Sequence, residues 1–198
     1  RFQDFEIPGE KTIFVHGSYL TPGDMGLLNS TGSILVNNPE SNMNNGLKVS
    51  PVLEFLKHGV TVGIGTDGMS GHLISQARAM YLHQRTQLRD PGIAFAEACG
   101  ILLESNRSIA NRMFKEPRGA LAPGQLADII ISDYLPFTPL NADTFYGHLL
   151  FGLSFAPVRT TIARGRVIMD EGQMPHLDEA AIRARCTQRA ANLWSRIH

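Results

Sequence analysis

Three places in this sequence put a polar or ionisable residue directly after a short apolar run. His16 follows TIFV, Asn37 and Asn38 follow SILV, and Asp67 follows VTVGIGT. Imidazole and carboxylate are the side chains that bind a divalent metal or move a proton near neutral pH. Each also has a plainer use. A histidine closing a strand is often a hydrogen-bonded structural residue, and an Asp after a strand is often a helix N-cap. Asn42, Asn44 and Asn45 are good turn formers. Gly63, Gly65 and Gly68 suggest a phosphate cradle, but GIGTDG lacks both the GxGxxG spacing and the P-loop lysine. The other histidines (58, 72, 83, 148, 176 and 198) are scattered, with no HxH or HExxH, and the cysteines form no CxxC. Only the strand-end set converges.

That convergence requires parallel strands with their carboxyl ends on one edge. The runs 12–16, 33–36 and 60–65 are continuously apolar, the pattern of strands covered on both faces of a parallel sheet. Helices are expected between them, over 22–29 after Thr21-Pro22 and over 52–58 after Ser50-Pro51, with NNPESNMNNG a polar loop. Strand, polar loop and helix thus recur three times in βα order, and strand ends are where such sheets build their sites. Helices follow over 73–88, 93–104 and 107–114. After Pro117 the texture becomes β-rich, with a strand over 127–132 and a hairpin turning at Arg164-Gly165. FYGHLLFGL reads as helical, and an amphipathic helix over 178–197 has Asp178 as its N-cap. The expected organisation is βα units over 1–116, a β-rich portion over 117–175 and a terminal helix over 176–198.

Composition narrows the partners. Among 198 residues, 18 Lys and Arg balance 18 Asp and Glu, which argues against a nucleic-acid or membrane-surface binder acting through bulk charge. A small electroneutral ligand held by local groups is the natural expectation. No window approaches 18 consecutive apolar residues, so no membrane span is expected. Cys99 and Cys186 are too few for a disulfide framework and read as buried or half-buried thiols of a reducing, cytoplasmic compartment. The chain opens on Arg1, almost directly into a strand, as a piece of something longer would.

FVHG, NPESNMNNG, SPVLEFLKHGVTVGIGTDG, RGALAPGQLADI and VRTTIARGRVIMDEG, in that order and spacing, resemble the C-terminal half of the amidohydrolase superfamily. The resemblance is to its guanine deaminase, S-adenosylhomocysteine deaminase and triazine hydrolase branch, and within it to the SsnA-type aminohydrolases. It covers about residues 10–172. It implies an α/β fold, strands six to eight of a metal-dependent (β/α)8 barrel plus part of a small β-sandwich.

By the same resemblance, His16 is the strand-six histidine that contacts substrate or the tetrahedral intermediate. Asp67 is the strand-eight aspartate that binds the metal and takes the proton of the attacking water. Ser41 and Asn42 lie in the loop beside the substrate, with Asn42 a polar contact at the pocket mouth. The implied cofactor is one divalent metal, zinc or alternatively iron. The implied reaction is hydrolytic deamination of a nitrogen-rich heterocycle of purine, pterin or triazine type. Dechlorination or amide hydrolysis on the same scaffold is an alternative, and so is an inactive interaction module that retains the fold. The family's HxH and strand-five histidine have no counterpart in this chain, so Asp67 is its one metal ligand. The open edges at 12–15 and 60–65 are expected to pair with a missing N-terminal half or with a second copy, in a homodimer.

Overall fold

A computed structural model describes residues 2–197. The chain forms two compact units, one from the chain up to Gln125 together with Tyr134–Ala156, the other from Leu126–Asp133 and the chain from Pro157 onward. The stretch 117–175, expected as one portion, is therefore shared. Residues 134–156 pack into the first unit because Leu149 and Leu150 are buried in its core.

In the first unit, β1 (Ile13–Val15), β2 (Ile34–Asn37) and β3 (Thr61–Ile64) form a parallel sheet in that order. Val15 pairs with Val36, Val36 with Gly63, and Asn37 with Ile64, so the three strands end along one edge. The connections carry α1 (Pro22–Ser30), α2 (Pro39–Asn44) and α3 (Val52–Lys57). Beyond β3 come α4 (Leu73–Leu88) and α5 (Phe95–Gly100). A wide π turn, Ile101–Ser105, then leads without a break into α6 (Asn106–Met113). The expected gap between residues 104 and 107 is thus a re-phased turn inside one helical run. α7 (Phe145–His148) passes likewise into a π turn, Leu149–Leu153. The apolar core has Leu35, Val52, Phe55, Val62, Met80, Ala98 and Leu150 at its centre.

Two expectations change in this unit. NNPESNMNNG is a polar loop by composition, yet residues 39–44 are helical, with Pro39 in the first turn. Asparagine is a poor helix former, so tertiary contacts carry α2. Pro39, Ser41 and Asn42 are buried, and the buried Gln76 of α4 accepts from Glu40 N–H at 3.2 Å and donates to Glu40 Oε2 at 2.6 Å. The second change concerns the sheet edges. β1 is an edge strand, with Ile13 and Val15 exposed. The outward C=O of Val62 and both backbone groups of Ile64 in β3 instead meet the side chains of Ser105 and Asn106, so that edge is not raw.

In the second unit, β4 (Ile129–Ser132), β5 (Val158–Ala163) and β6 (Arg166–Met169) form an antiparallel sheet in that order. Ala163 pairs with Arg166, leaving a two-residue turn. Arg164 (φ 51°) and Gly165 (φ 76°) both take the left-handed conformation that such turns require. α8 (Glu179–Trp194) starts at Asp178, whose carboxylate accepts from Ala181 N–H at 2.9 Å. No described residue of α8 is buried, and Cys186 on it is exposed, not buried or half-buried as expected. Among the described residues no helix is long and apolar enough to cross a membrane.

Two outcomes follow from these local structures. The α1 capping box joins Thr21 and Asp24 reciprocally, and its Thr21 hydrogen bonds hold the Asp24 carboxyl below its ordinary pKa of 3.8. Thr21→Ala should lower the stability of the full-length protein by about 1 kcal/mol in urea denaturation at pH 7. Because the folded pKa is depressed, the part of that penalty due to the Thr21 hydroxyl's bond to the Asp24 carboxylate is full above pH 3.8 and fades as pH falls through the folded value. Cys99 is buried and its thiol is pushed up to about 11 by burial. Peptide mapping after iodoacetamide at pH 8 should find Cys99 unmodified in native protein and modified in urea.

Candidate active site

The residues that close β1 and β3 are both bent out of the ordinary backbone range. His16 has φ 68° and Asp67 has φ 51°, the left-handed region that non-glycine residues enter at a cost of about 1–3 kcal/mol each. Packing fixes these turns. His16 N–H donates to Val36 C=O at 2.9 Å, and Gly17 follows with φ 70° where a Cβ would meet Leu35 Cδ2 at 2.9 Å. Gly65 N–H donates to Asn37 C=O at 2.9 Å, and a Cβ on Gly65 would fall 2.5 Å from Asn38 Oδ1. Gly63 and Gly65 are therefore glycines of close packing, and nothing about them indicates a phosphate cradle.

The two turns bring the side chains together over the sheet edge, with His16 Nε2 3.8 Å from Asp67 Oδ2. Helix α2 reaches both. Asn42 Oδ1 lies 2.7 Å from His16 Nδ1, and the Ser41 hydroxyl donates to Asp67 Oδ2 at 2.7 Å. The other carboxylate oxygen of Asp67 accepts from Gly68 N–H at 2.7 Å. The Ser41 hydroxyl is the largest influence holding the Asp67 carboxyl below its usual range, followed by the Gly68 N–H, with nearby His16 a smaller one. Asp67 caps no helix, because α4 starts at Leu73 with His72 as its cap.

An amide oxygen facing Nδ1 makes that nitrogen the N–H and leaves Nε2 directed at the space beside Asp67. An oxygen held ~2.8 Å from both Nε2 and Oδ2 would fit their 3.8 Å separation. The side chains of His16 and Asp67 are 33% and 43% exposed, so such an oxygen can enter.

His16, Ser41, Asn42 and Asp67 thus form two hydrogen-bonded pairs, His16–Asn42 and Ser41–Asp67, that meet where His16 Nε2 approaches Asp67 Oδ2 at 3.8 Å. Their placement differs from expectation at Asn42, which is 1% exposed, with its Nδ2 3.5 Å from Ser18 Oγ. A buried amide engaged at both ends orients His16 and does not present itself at a pocket mouth. Ser18, and Gln76 behind α2, escaped the sequence reading. The available signal for Gln76 was a polar residue in helical phase with Ala77, Met80 and Tyr81, all buried.

As a metal centre the group is partial. It supplies one exposed carboxylate and one imidazole, and among the described residues no cluster of three or more His, Cys, Asp or Glu side chains could hold a metal ion. A tetrahedral ion needs further donors. Asp67 fits as one ligand of such a set.

The chain shares its fold with solved hydrolases. A zinc-bound adenosine deaminase from Xanthomonas campestris superposes with a TM-score of 0.82 at 20% identity, over 98% of this chain and 45% of that one. A zinc complex of an atrazine chlorohydrolase from Arthrobacter aurescens gives 0.74 at 17% identity, over 91% and 41%. In sequence, a 5-methylthioadenosine/S-adenosylhomocysteine deaminase of Pelotomaculum thermopropionicum is 29% identical, over 97% of this chain and 44% of its own length. A 5'-deoxyadenosine deaminase of Methanothermobacter thermautotrophicus is also 29% identical, over 93% and 44%. The chain spans less than half the length of the curated relatives it matches. The amidohydrolase family model matches residues 1–168, and the chain belongs to the amidohydrolase family.

Proposed function

We propose that this chain supplies part of the active site of a metal-dependent aminohydrolase that removes an amino group from a nitrogen-rich heterocycle. The observation that carries this reading is the pairing of His16 and Asp67 at 3.8 Å on two bent strand ends, each held by α2. The finer assignment is that β1, β2 and β3 are barrel strands six, seven and eight, and that β4–β6 belong to a small β-sandwich. The remaining metal ligands would come from polypeptide outside this chain, an N-terminal half or a second copy. A homodimer and a cytoplasmic location belong to the same proposal.

Asp67 would hold a divalent metal, with zinc preferred because both solved neighbours carry it. A bound divalent ion lowers the pKa of water toward ~7. Asp67 then accepts the proton of the water that adds to the amidine-like ring carbon. It would return that proton to the exocyclic nitrogen as the C–N bond breaks, so that ammonia leaves, while the water's other proton ends on the ring nitrogen and a ring carbonyl remains. Asn42 holds His16 through Nδ1, and Nε2 faces the space beside Asp67 where the attacking oxygen would sit. A hydrogen bond between Nε2 and that oxygen would stabilise the tetrahedral intermediate. Adenosine-type nucleosides are the first substrates to try, because relatives named for deaminating them reach 29% identity. Dechlorination of a triazine is the second reading, supported by the fold likeness to the chlorohydrolase.

Ammonia release by the zinc-loaded, full-length protein should be seen on adenosine-type nucleosides within a panel of purines, pterins and triazines. Release from none of them would overturn the reading. Asp67→Ala should abolish turnover and lower zinc content by metal analysis. His16→Ala should lower kcat ~10²–10³-fold with zinc retained. Asn42→Ala separates two roles: loss of orientation lowers kcat roughly 10²-fold with KM unchanged, whereas loss of a substrate contact raises KM.

A further inference from the structure

The strand that carries Asp67 is gripped from outside the sheet. Successive residues of a strand present their backbone groups to opposite sides. Gly65 gives its N–H to β2, through Asn37 C=O, so Ile64 and Val62 turn theirs the other way. Those outward groups are taken by two consecutive side chains. The Ser105 hydroxyl donates to Val62 C=O. The Asn106 amide accepts from Ile64 N–H at 2.9 Å and donates to Ile64 C=O at 3.0 Å, which reproduces with one side chain the two bonds of a neighbouring strand.

Two further features belong to this grip. Ser105 and Asn106 stand where the π turn Ile101–Ser105 meets α6, and such turns are rare and frequent at functional sites. Gly63 lies beneath, where a Cβ would come 2.8 Å from Asn106 Oδ1 and 2.8 Å from Ile109 Cδ1. Its φ lies outside the left-handed region, so space and not backbone conformation calls for glycine there.

We infer that Ser105 and Asn106 are positioning residues for Asp67. Ile64 is the last residue of β3 and stands three positions before Asp67. Fixing both of its backbone groups fixes where the strand stops and where the left-handed turn at Asp67 begins. Ser41 holds the carboxylate, and Asn106 holds the backbone from which it projects. The inference rests on the reading of Asp67 as the metal-binding, proton-accepting carboxylate.

The test uses Asn106→Ala, Ser105→Ala, Ser105→Thr and Gly63→Ala in the full-length protein. Four quantities are read: amide exchange over residues 62–65, zinc affinity by chelator competition, kcat and KM. Asn106→Ala and Gly63→Ala should speed exchange and lower both zinc affinity and kcat by roughly 10–100-fold, with KM unchanged. Ser105→Ala should act in the same direction, and Ser105→Thr, which keeps the hydroxyl, should restore wild-type values. If Asn106→Ala fails to fold, the smaller changes at Ser105 and Gly63 decide. Faster exchange with wild-type zinc affinity and kcat would reduce the grip to edge capping and overturn the inference. Unchanged exchange would overturn it as well. Wild-type turnover in Asp67→Ala would instead remove the reading of Asp67, a result distinct from either.

Discussion

Helix α2 lies between two bent strand ends and gives one hydrogen bond to each. Asn42 takes His16, and the adjacent Ser41 takes Asp67. The two bonds come from neighbouring residues of one short helix, so the separation of the imidazole and the carboxylate is set by α2. That helix is a weak one, six residues rich in asparagine and without a side-chain cap at Asn38. It persists because Gln76, wholly buried, ties Glu40 to α4. A buried amide without partners would be costly, so the Gln76–Glu40 bonds and the burial of α2 require each other.

The left-handed turns at His16 and Asp67 are the other half of this arrangement. Either would relax if its surroundings allowed, and each is held by contacts on two sides. Gly17 and Gly65 let the neighbouring chain approach closer than a Cβ would permit. The parallel register supplies the backbone bonds to Val36 and Asn37. Strain of this kind survives only where the surrounding structure over-determines it, and here it aims two titratable side chains at one small space.

A tetrahedral ion in that space would need donors beyond His16 and Asp67. An exposed carboxylate held in its ionised form by a hydroxyl and a backbone N–H is well suited to a cation, since lone pairs on both oxygens remain available. β1 is an edge strand of this sheet and keeps Ile13 and Val15 exposed. The outward groups at the end of β3 are already occupied by Ser105 and Asn106, so the two edges of this sheet differ in kind.

The apolar runs before His16, Asn37 and Asp67 pointed to three parallel strands, because strands buried on both faces are written that way, although β1 keeps Ile13 and Val15 exposed. The hairpin at Arg164-Gly165 and the cap at Asp178 were legible for a similar reason, since their signals are confined to a few adjacent residues. His16 and Asp67 stood out because strand ends are positions that a linear pattern can mark. The helical state of residues 39–44, the burial of Asn42 and the grip of Asn106 on Ile64 were not legible. Each depends on partners 26 to 42 residues away, Asn42 on His16, Glu40 on Gln76 and Asn106 on Ile64. Local propensity favours a turn at the asparagines and says nothing of which amide meets which backbone group. Only the packed fold decides that, because a buried polar side chain takes its role from whatever unpaired donor or acceptor the tertiary structure leaves within reach.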